Sequence, residues 1–116
     1  MQLHLQFQCN QLCLPVAYRH YVQSLLYSGL KQLPGYDRIH DKDSFKLFTF
    51  GQLEGIYTLA NREILFEDTV SLEVRSTDDR MLLGLFSLFF EGSRWQLGRN
   101  ALTVAAARLE NARVQT

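Results

Sequence analysis

The chain has little cysteine and no excess charge of either sign, and each shortage excludes a class of protein. Cys9 and Cys13 are the two cysteines among 116 residues, too few for the disulfide framework of a small secreted domain. Twelve basic residues balance twelve acidic ones, so the surface as a whole does not attract nucleic acid or an anionic membrane. No apolar run approaches the roughly 20 residues of a membrane-spanning helix, and the alternating MQLHLQFQ start is not a signal peptide. We expect a cytoplasmic protein without a membrane partner.

Motifs of several common enzyme classes are also missing. The sequence has no G-x-G-x-x-G, no GKS or GKT phosphate loop, no H-E-x-x-H and no G-x-S-x-G. Nucleotide hydrolysis, zinc peptidase and serine hydrolase chemistry, and a small-molecule module built on a phosphate loop, therefore have no support. A metal cluster of His4, Cys9, Cys13 and His20 matches no common site in its spacing. Structural thiols are the favoured interpretation, and neither a metal nor a cofactor is expected.

The sequence does contain enough apolar residues, 47%, for one folded core, and its length predicts a single domain over 1–116. Its charges are unevenly distributed. Residues 1–46 carry five basic and three acidic groups and all three histidines, whereas 47–116 carry seven basic and nine acidic groups. Any surface that attracts anions should therefore lie in the first third of the chain.

Hydrophobic periodicity predicts an alternating order of strands and helices. The predicted elements are a strand over 3–9, a helix over 17–31, a hairpin of strands over 45–59 and 62–75, a helix over 76–92, a short strand over 95–97, and a segment over 101–110 with an ambiguous signal. Ala60-Asn61 is the predicted hairpin turn, with a bulge at Gly51 or Gly55. The order is that of a βαββαβ ferredoxin-like fold of the α+β class, a four-stranded antiparallel sheet with two helices on one face.

Three side chains are candidates for chemistry. The polar stripe of the first predicted helix consists of His20, Gln23, Ser24, Tyr27 and Lys31. Tyr27 lies seven residues after His20, where a core aromatic is not expected. His40 lies in a polar loop, and Lys46 opens the next strand. On residue chemistry alone, a loop histidine among aspartates is a solvated surface residue, so these positions do not by themselves indicate catalysis.

A resemblance to a known family changes that interpretation. The string RIHDKDSFKLFTFGQLEG, preceded by YVQSLLYSGLK, resembles the N-terminal part of the CRISPR-associated repeat-RNA endoribonucleases, the sixth Cas protein family. In that family a helix with a tyrosine leads to a histidine and then to KLFTF, which here correspond to Tyr27, His40 and Lys46. The later strings SLEVRS, LLGLF and LTVAAARL also resemble the first domain of the family, so the match covers essentially the whole chain.

The resemblance implies metal-independent cleavage of precursor CRISPR RNA within its repeats, by attack of a 2′-hydroxyl. It assigns His40 as the principal general acid/base, Lys46 as the electrostatic stabiliser of the phosphorane, and Tyr27 as a positioning or proton-transferring hydroxyl. The implied partner is CRISPR repeat RNA. Its expected contacts are the basic residues and one histidine of the first third: Arg19, His20, Lys31, Arg38 and Lys42.

The family has two ferredoxin-like domains in tandem, and nothing in this sequence corresponds to the second. Two hypotheses follow, an endonuclease half that is incomplete without a second domain, and a catalytically silent RNA-binding or protein-interaction domain of a CRISPR system. The uncovered packing surface predicts either a homodimer or a separate second domain as a partner.

Overall fold

A computed structural model describes residues 1–36, 48–91 and 94–110 of the chain. Its elements are β1 (Gln2–Gln8), β2 (Leu12–Pro15), α1 (Arg19–Leu30), β3 (Thr49–Phe50), β4 (Tyr57–Ala60), β5 (Glu63–Phe66), β6 (Thr69–Arg75), α2 (Asp79–Glu91), β7 (Arg94–Leu97) and β8 (Asn100–Glu110). The strands form two sheets, in which every pairing is antiparallel. The chain is therefore a mixed α/β protein.

The larger sheet has five strands, in the order β3-β6-β1-β8-β7, rather than the four predicted. The fifth strand is β8, because the segment with the ambiguous signal is a strand and forms a hairpin with the predicted short strand β7. The turn between them contains Gly98, which has a left-handed φ of 62°. β8 pairs with β1 on one side while β6 pairs with it on the other, so β1 lies at the centre. The side chains of Leu3, Leu5 and Phe7 are fully buried on one face of β1.

The smaller sheet, β2-β5-β4, was not expected, and β2 is absent from the predicted order. The predicted hairpin forms, but its two ends belong to different sheets. Its base, β3 and β6, joins the large sheet, whereas its tip, β4 and β5, forms the small sheet in which β5 pairs with β2. Asn61 and Arg62 at the tip both have positive φ, 51° and 63°, as a two-residue turn between twisted strands requires. The division occurs at Gly55, where an added Cβ would lie 2.5 Å from the carbonyl oxygen of Thr69.

Both helices contribute to the core. The Asp78 carboxylate caps α2 by accepting a hydrogen bond from the Met81 N–H at 3.1 Å. Phe89 of α2 meets Phe7 of β1 edge to face, with ring centroids 6.0 Å apart. α1 packs against α2 and β7, and Gly29 allows the close approach to α2. No helix within the three described ranges is long and apolar enough to cross a membrane.

Candidate functional site

Tyr27 is the one member of the predicted catalytic trio among the described residues. It lies half-buried on α1, and the Lys31 ammonium is 5.5 Å from the centroid of its ring. The polar stripe predicted around it is exposed at His20, Ser24 and Lys31. Gln23 departs from the prediction because it is only 5% exposed, at the edge of the buried face.

His40 and Lys46 lie outside the described residues, in 37–47, so their convergence with Tyr27 stays a prediction. The flanks of this segment are both held near the start of α2. On one side, the Tyr36 hydroxyl donates a hydrogen bond to Asp78 Oδ2 at 2.6 Å. On the other side, Thr49 pairs with Arg75 at the end of β6.

The hydrogen bond between Tyr36 and Asp78 shifts both of their acidities. As the largest cause in each case, it raises the pKa of the Tyr36 hydroxyl and lowers the pKa of the Asp78 carboxyl. The Met81 N–H also stabilises the carboxylate and lowers the pKa of Asp78 further. At neutral pH the pair is therefore a neutral phenol donating to a carboxylate.

The predicted RNA contacts do not form one patch in the described part of the chain. Arg19 and Lys31 occupy opposite ends of α1, and twelve residues at about 1.5 Å each separate them by roughly 18 Å along the axis. The Arg19 guanidinium lies 4.4 Å above the ring of Phe50, while His20 stacks on Tyr21. Arg38 and Lys42 lie outside the described residues.

The two thiols are held in forms that do not favour reactivity. Burial raises the pKa of Cys9, and a hydrogen bond to the Glu63 carboxylate raises the pKa of Cys13. Within the described ranges, no three His, Cys, Asp or Glu side chains are grouped to hold a metal ion. His4 instead sits on the open face of the large sheet, with Nε2 2.8 Å from Glu110 Oε2 and Nδ1 3.7 Å from Glu73 Oε2.

A groove at the start of α1 is a feature that the sequence analysis missed. This α1 groove has a volume of about 350 Å³ and is lined by Val16–Arg19, Phe50–Gln52, Tyr57, Leu59 and Ile64. Three parts of the chain form it, namely the start of α1, residues 50–52, and the β4–β5 tip of the hairpin. The last two lie on either side of the point where the hairpin divides, which periodicity does not predict. Ile56, Tyr57 and Leu59 beside the groove are exposed apolar residues, and their exposure is visible in the structure rather than in the sequence pattern.

Comparisons with known proteins give matches to solved structures. Neither a family model nor a curated protein sequence matches the chain. A structure of a CRISPR associated protein Cas6 matches with a TM-score of 0.77 and 22% identity, covering 99% of this chain and 50% of that one. An RAMP protein binding different RNA substrates matches with a TM-score of 0.72 and 15% identity, covering 100% of this chain and 50% of that one.

A third match is the product of a Cas6-related gene from Pyrococcus furiosus, with a TM-score of 0.76 and 13% identity, covering 99% of this chain and 50% of that one. The chain thus spans about half the length of the solved structures that it matches. At these identities the likeness establishes the fold. It confirms at that level the resemblance inferred from the sequence motifs: this chain has the fold of one half of a Cas6-type protein.

Proposed function

We propose that the chain is one half of a metal-independent endoribonuclease that processes precursor CRISPR RNA within its repeats. The observation that carries the proposal is the match of 99% of the chain to half of a Cas6 structure at a TM-score of 0.77. The KLFTF string and its spacing to His40 support the same assignment. In this proposal residues 1–116 form a single ferredoxin-like domain, with the order β3-β6-β1-β8 as its four-stranded core and β7 and the small sheet as additions.

The proposed reaction is an in-line transesterification. The 2′-oxygen forms a bond to the adjacent phosphorus, the bond from phosphorus to the 5′-oxygen breaks, and a 2′,3′-cyclic phosphate and a 5′-hydroxyl result. One proton leaves the 2′-hydroxyl and one is delivered to the 5′-oxygen, which is the work of His40 assisted by the Tyr27 hydroxyl. Lys46 stabilises the charge that develops on the phosphorane.

Cleavage of cognate repeat RNA in EDTA tests this function. We expect the chain alone to cleave slowly or not at all, because it spans about half of the Cas6 structure that it matches, and to cleave faster when the other half is supplied. His40→Ala should reduce the cleavage to near the background rate, and Lys46→Ala should lower kcat by roughly 10²- to 10³-fold. Cleavage that requires Mg²⁺ and survives His40→Ala would contradict the proposal.

The matched control is His4→Ala, because His4 lies on the open face of the large sheet beside Glu110 and the proposal gives it no part in proton transfer or RNA contact. This variant should retain the cleavage rate at saturating RNA. Tyr27→Phe removes one hydroxyl while keeping the ring beside Lys31, and we expect a reduced rate with unchanged folding. Circular dichroism of each variant checks that the fold is intact.

A second candidate is a catalytically silent domain that binds RNA or a partner protein. The observation in its favour is that the chain spans half the length of the structures it matches and has no net positive charge. A chain with no net charge offsets the charge of few phosphates, so its affinity for RNA should be weak and salt-sensitive. RNA binding without cleavage, even after the other half is added, would select this candidate.

A further inference from the structure

The α1 groove exposes more apolar surface than a solvated crevice needs. Tyr57 is 53% exposed and Leu59 is 60% exposed, although both lie on the side of β4 that faces the groove. The ring of Phe66 supports that of Tyr57, with centroids 5.8 Å apart, and leaves the rest of the tyrosine ring accessible. A volume of about 350 Å³ is within the range of pockets that hold small organic groups.

Among the described residues, the charge that lines the α1 groove is positive. Arg19 is the one charged lining residue in that part of the chain, and no carboxylate there pairs with it. Three other cavities formed by described residues contain carboxylates, from Glu91, from Glu73 with Glu54, and from Glu63. Glu63 is next to Ile64 in sequence, but its carboxylate contacts the Cys13 thiol outside the groove. The groove therefore suits a ligand with an apolar body and a negative charge.

The open face of the large sheet lacks the side chains that nucleobases stack on. Sheets that bind single-stranded RNA present aromatic residues on their central strands. Here the open-face residues of the central strand β1 and of its neighbour β6 are Gln2, His4, Gln6 and Gln8, and Thr69, Ser71, Glu73 and Arg75. The imidazole of His4 is also held between Glu73 and Glu110. Stacking of bases on this part of the sheet is therefore disfavoured.

From these observations we infer that the α1 groove binds an unstacked nucleobase of single-stranded RNA, with Tyr57 as the stacking surface and Arg19 as the contact to a neighbouring phosphate. The Arg19 guanidinium uses one face on Phe50, which leaves its N–H edge to bind phosphate oxygens. Stacking on Tyr57 tolerates any base, since every base has a π-face. The inference rests on the proposed function for its choice of RNA as the ligand.

Fluorescence anisotropy with a labelled single-stranded RNA of about ten nucleotides, free of secondary structure, tests the site on the full chain. Tyr57→Leu keeps an apolar side chain but removes the ring, and we expect about tenfold weaker binding. Tyr57→Phe should bind like the unmodified chain. Arg19→Gln should make the negative slope of log K against log salt concentration shallower by about 0.7, the value for one phosphate contact in a single strand.

Matched controls lie elsewhere on the surface. Phe90→Leu removes a 67% exposed aromatic ring from α2, and Arg99→Gln removes an exposed arginine from the β7–β8 turn. Both variants should retain the affinity and salt slope of the unmodified chain. If Phe90→Leu weakens binding as much as Tyr57→Leu does, the stacking is not specific to the groove and the inference is wrong.

The outcomes separate this inference from the proposed function. If the chain binds RNA and both Tyr57→Leu and Arg19→Gln bind it unchanged, the groove is not an RNA site, and an extended polypeptide becomes its better occupant. The proposed function survives that result, because cleavage and its loss in His40→Ala are measured separately. If the chain binds no single-stranded RNA at millimolar concentration, the inference fails, while the proposed function is still decided by cleavage of cognate repeat RNA with the other half supplied. Should Tyr57→Leu destabilise the fold, the salt slope of Arg19→Gln decides the question.

Discussion

At the scale of single residues, the hydrogen bond between Tyr36 and Asp78 joins the segment after α1 to the start of α2. The hydroxyl lies 2.6 Å from Oδ2, while Oδ1 of the same carboxylate caps the helix. We expect Tyr36→Phe to lower the free energy of unfolding at pH 7 by about 1 kcal/mol, because water screens part of this half-exposed bond. Urea denaturation measures the change. Asp78→Ala removes both the hydrogen bond to Tyr36 and the cap of α2, and should lower the free energy of unfolding by about 2 kcal/mol.

The pH dependence of that difference follows from the two pKa shifts. The pKa of Asp78 is lowered in the folded state, so its contribution exists above the unfolded pKa and disappears as the pH falls through the folded one. The pKa of Tyr36 is raised, so its contribution exists below the unfolded pKa and disappears as the pH rises through the folded one. The free energies of unfolding of the unmodified chain and of Tyr36→Phe should therefore differ most near neutral pH. A difference that stays constant into acid would show that the lost contact is packing rather than the hydrogen bond.

Single residues also show which side-chain exposures hydrophobic periodicity can predict. The sequence correctly predicts that His20, Ser24 and Lys31 are exposed, because a helix of known phase has one outward side. Gln23 is buried because the width of a helix's covered face depends on the elements packed against it, which the helix sequence does not specify. The same limit applies to Arg19, whose contact with Phe50 joins residues far apart in the chain.

At the scale of elements, Gly55 controls where the long hairpin divides between the two sheets. A Cβ at this position would lie 2.5 Å from the Thr69 carbonyl oxygen, which is backbone and cannot move aside as a side chain does. The neighbouring Glu54 exchanges two backbone hydrogen bonds with Ser71, so a shift would also disturb the large sheet. We expect Gly55→Ala to destabilise the fold by about 1–3 kcal/mol.

Gly51→Ala is the matched control, because an added Cβ at Gly51 meets no atom within 4 Å. Thermal denaturation should show a loss of several degrees for Gly55→Ala, at roughly 4–8 °C per kcal/mol for a domain of this size, and little change for Gly51→Ala. Equal melting temperatures for the two variants would mean that the hairpin divides for another reason.

The order of elements was largely predictable from local pattern, and the partners of each strand were not. Alternation, helical spacing and capping predict β1, α1 and α2. The hairpin turn lies at Asn61-Arg62, one residue after the predicted Ala60-Asn61. The division of the hairpin into two sheets depends on β2, a four-residue strand that pairs with β5 some fifty positions later. Because such pairing is non-local, neither propensity nor periodicity identifies it. The α1 groove, which the division creates, was therefore beyond sequence reasoning as well.

At the scale of the whole molecule, the outer side of α2 carries an apolar patch. Phe90 is 67% exposed, Leu83 is 48% exposed, and Phe86 contacts Phe90 with ring centroids 5.6 Å apart. An exposed apolar patch of this kind usually has a partner, and one patch pairing with its own copy closes under a two-fold axis. We therefore expect the chain, studied without a second domain, to form a dimer at micromolar concentration.

Sedimentation analysis over a range of concentrations measures this association. The mass should rise from 13.4 kDa towards twice that value as concentration increases. Phe90→Ser should restore the monomer, whereas Ile56→Ser, at a 71% exposed position just before β4, should leave the dimer intact. Added salt should not weaken the dimer, because burial of apolar surface drives it, while the same salt weakens binding to RNA. A mass of 13.4 kDa at every concentration would mean that the patch on α2 does not pair with itself.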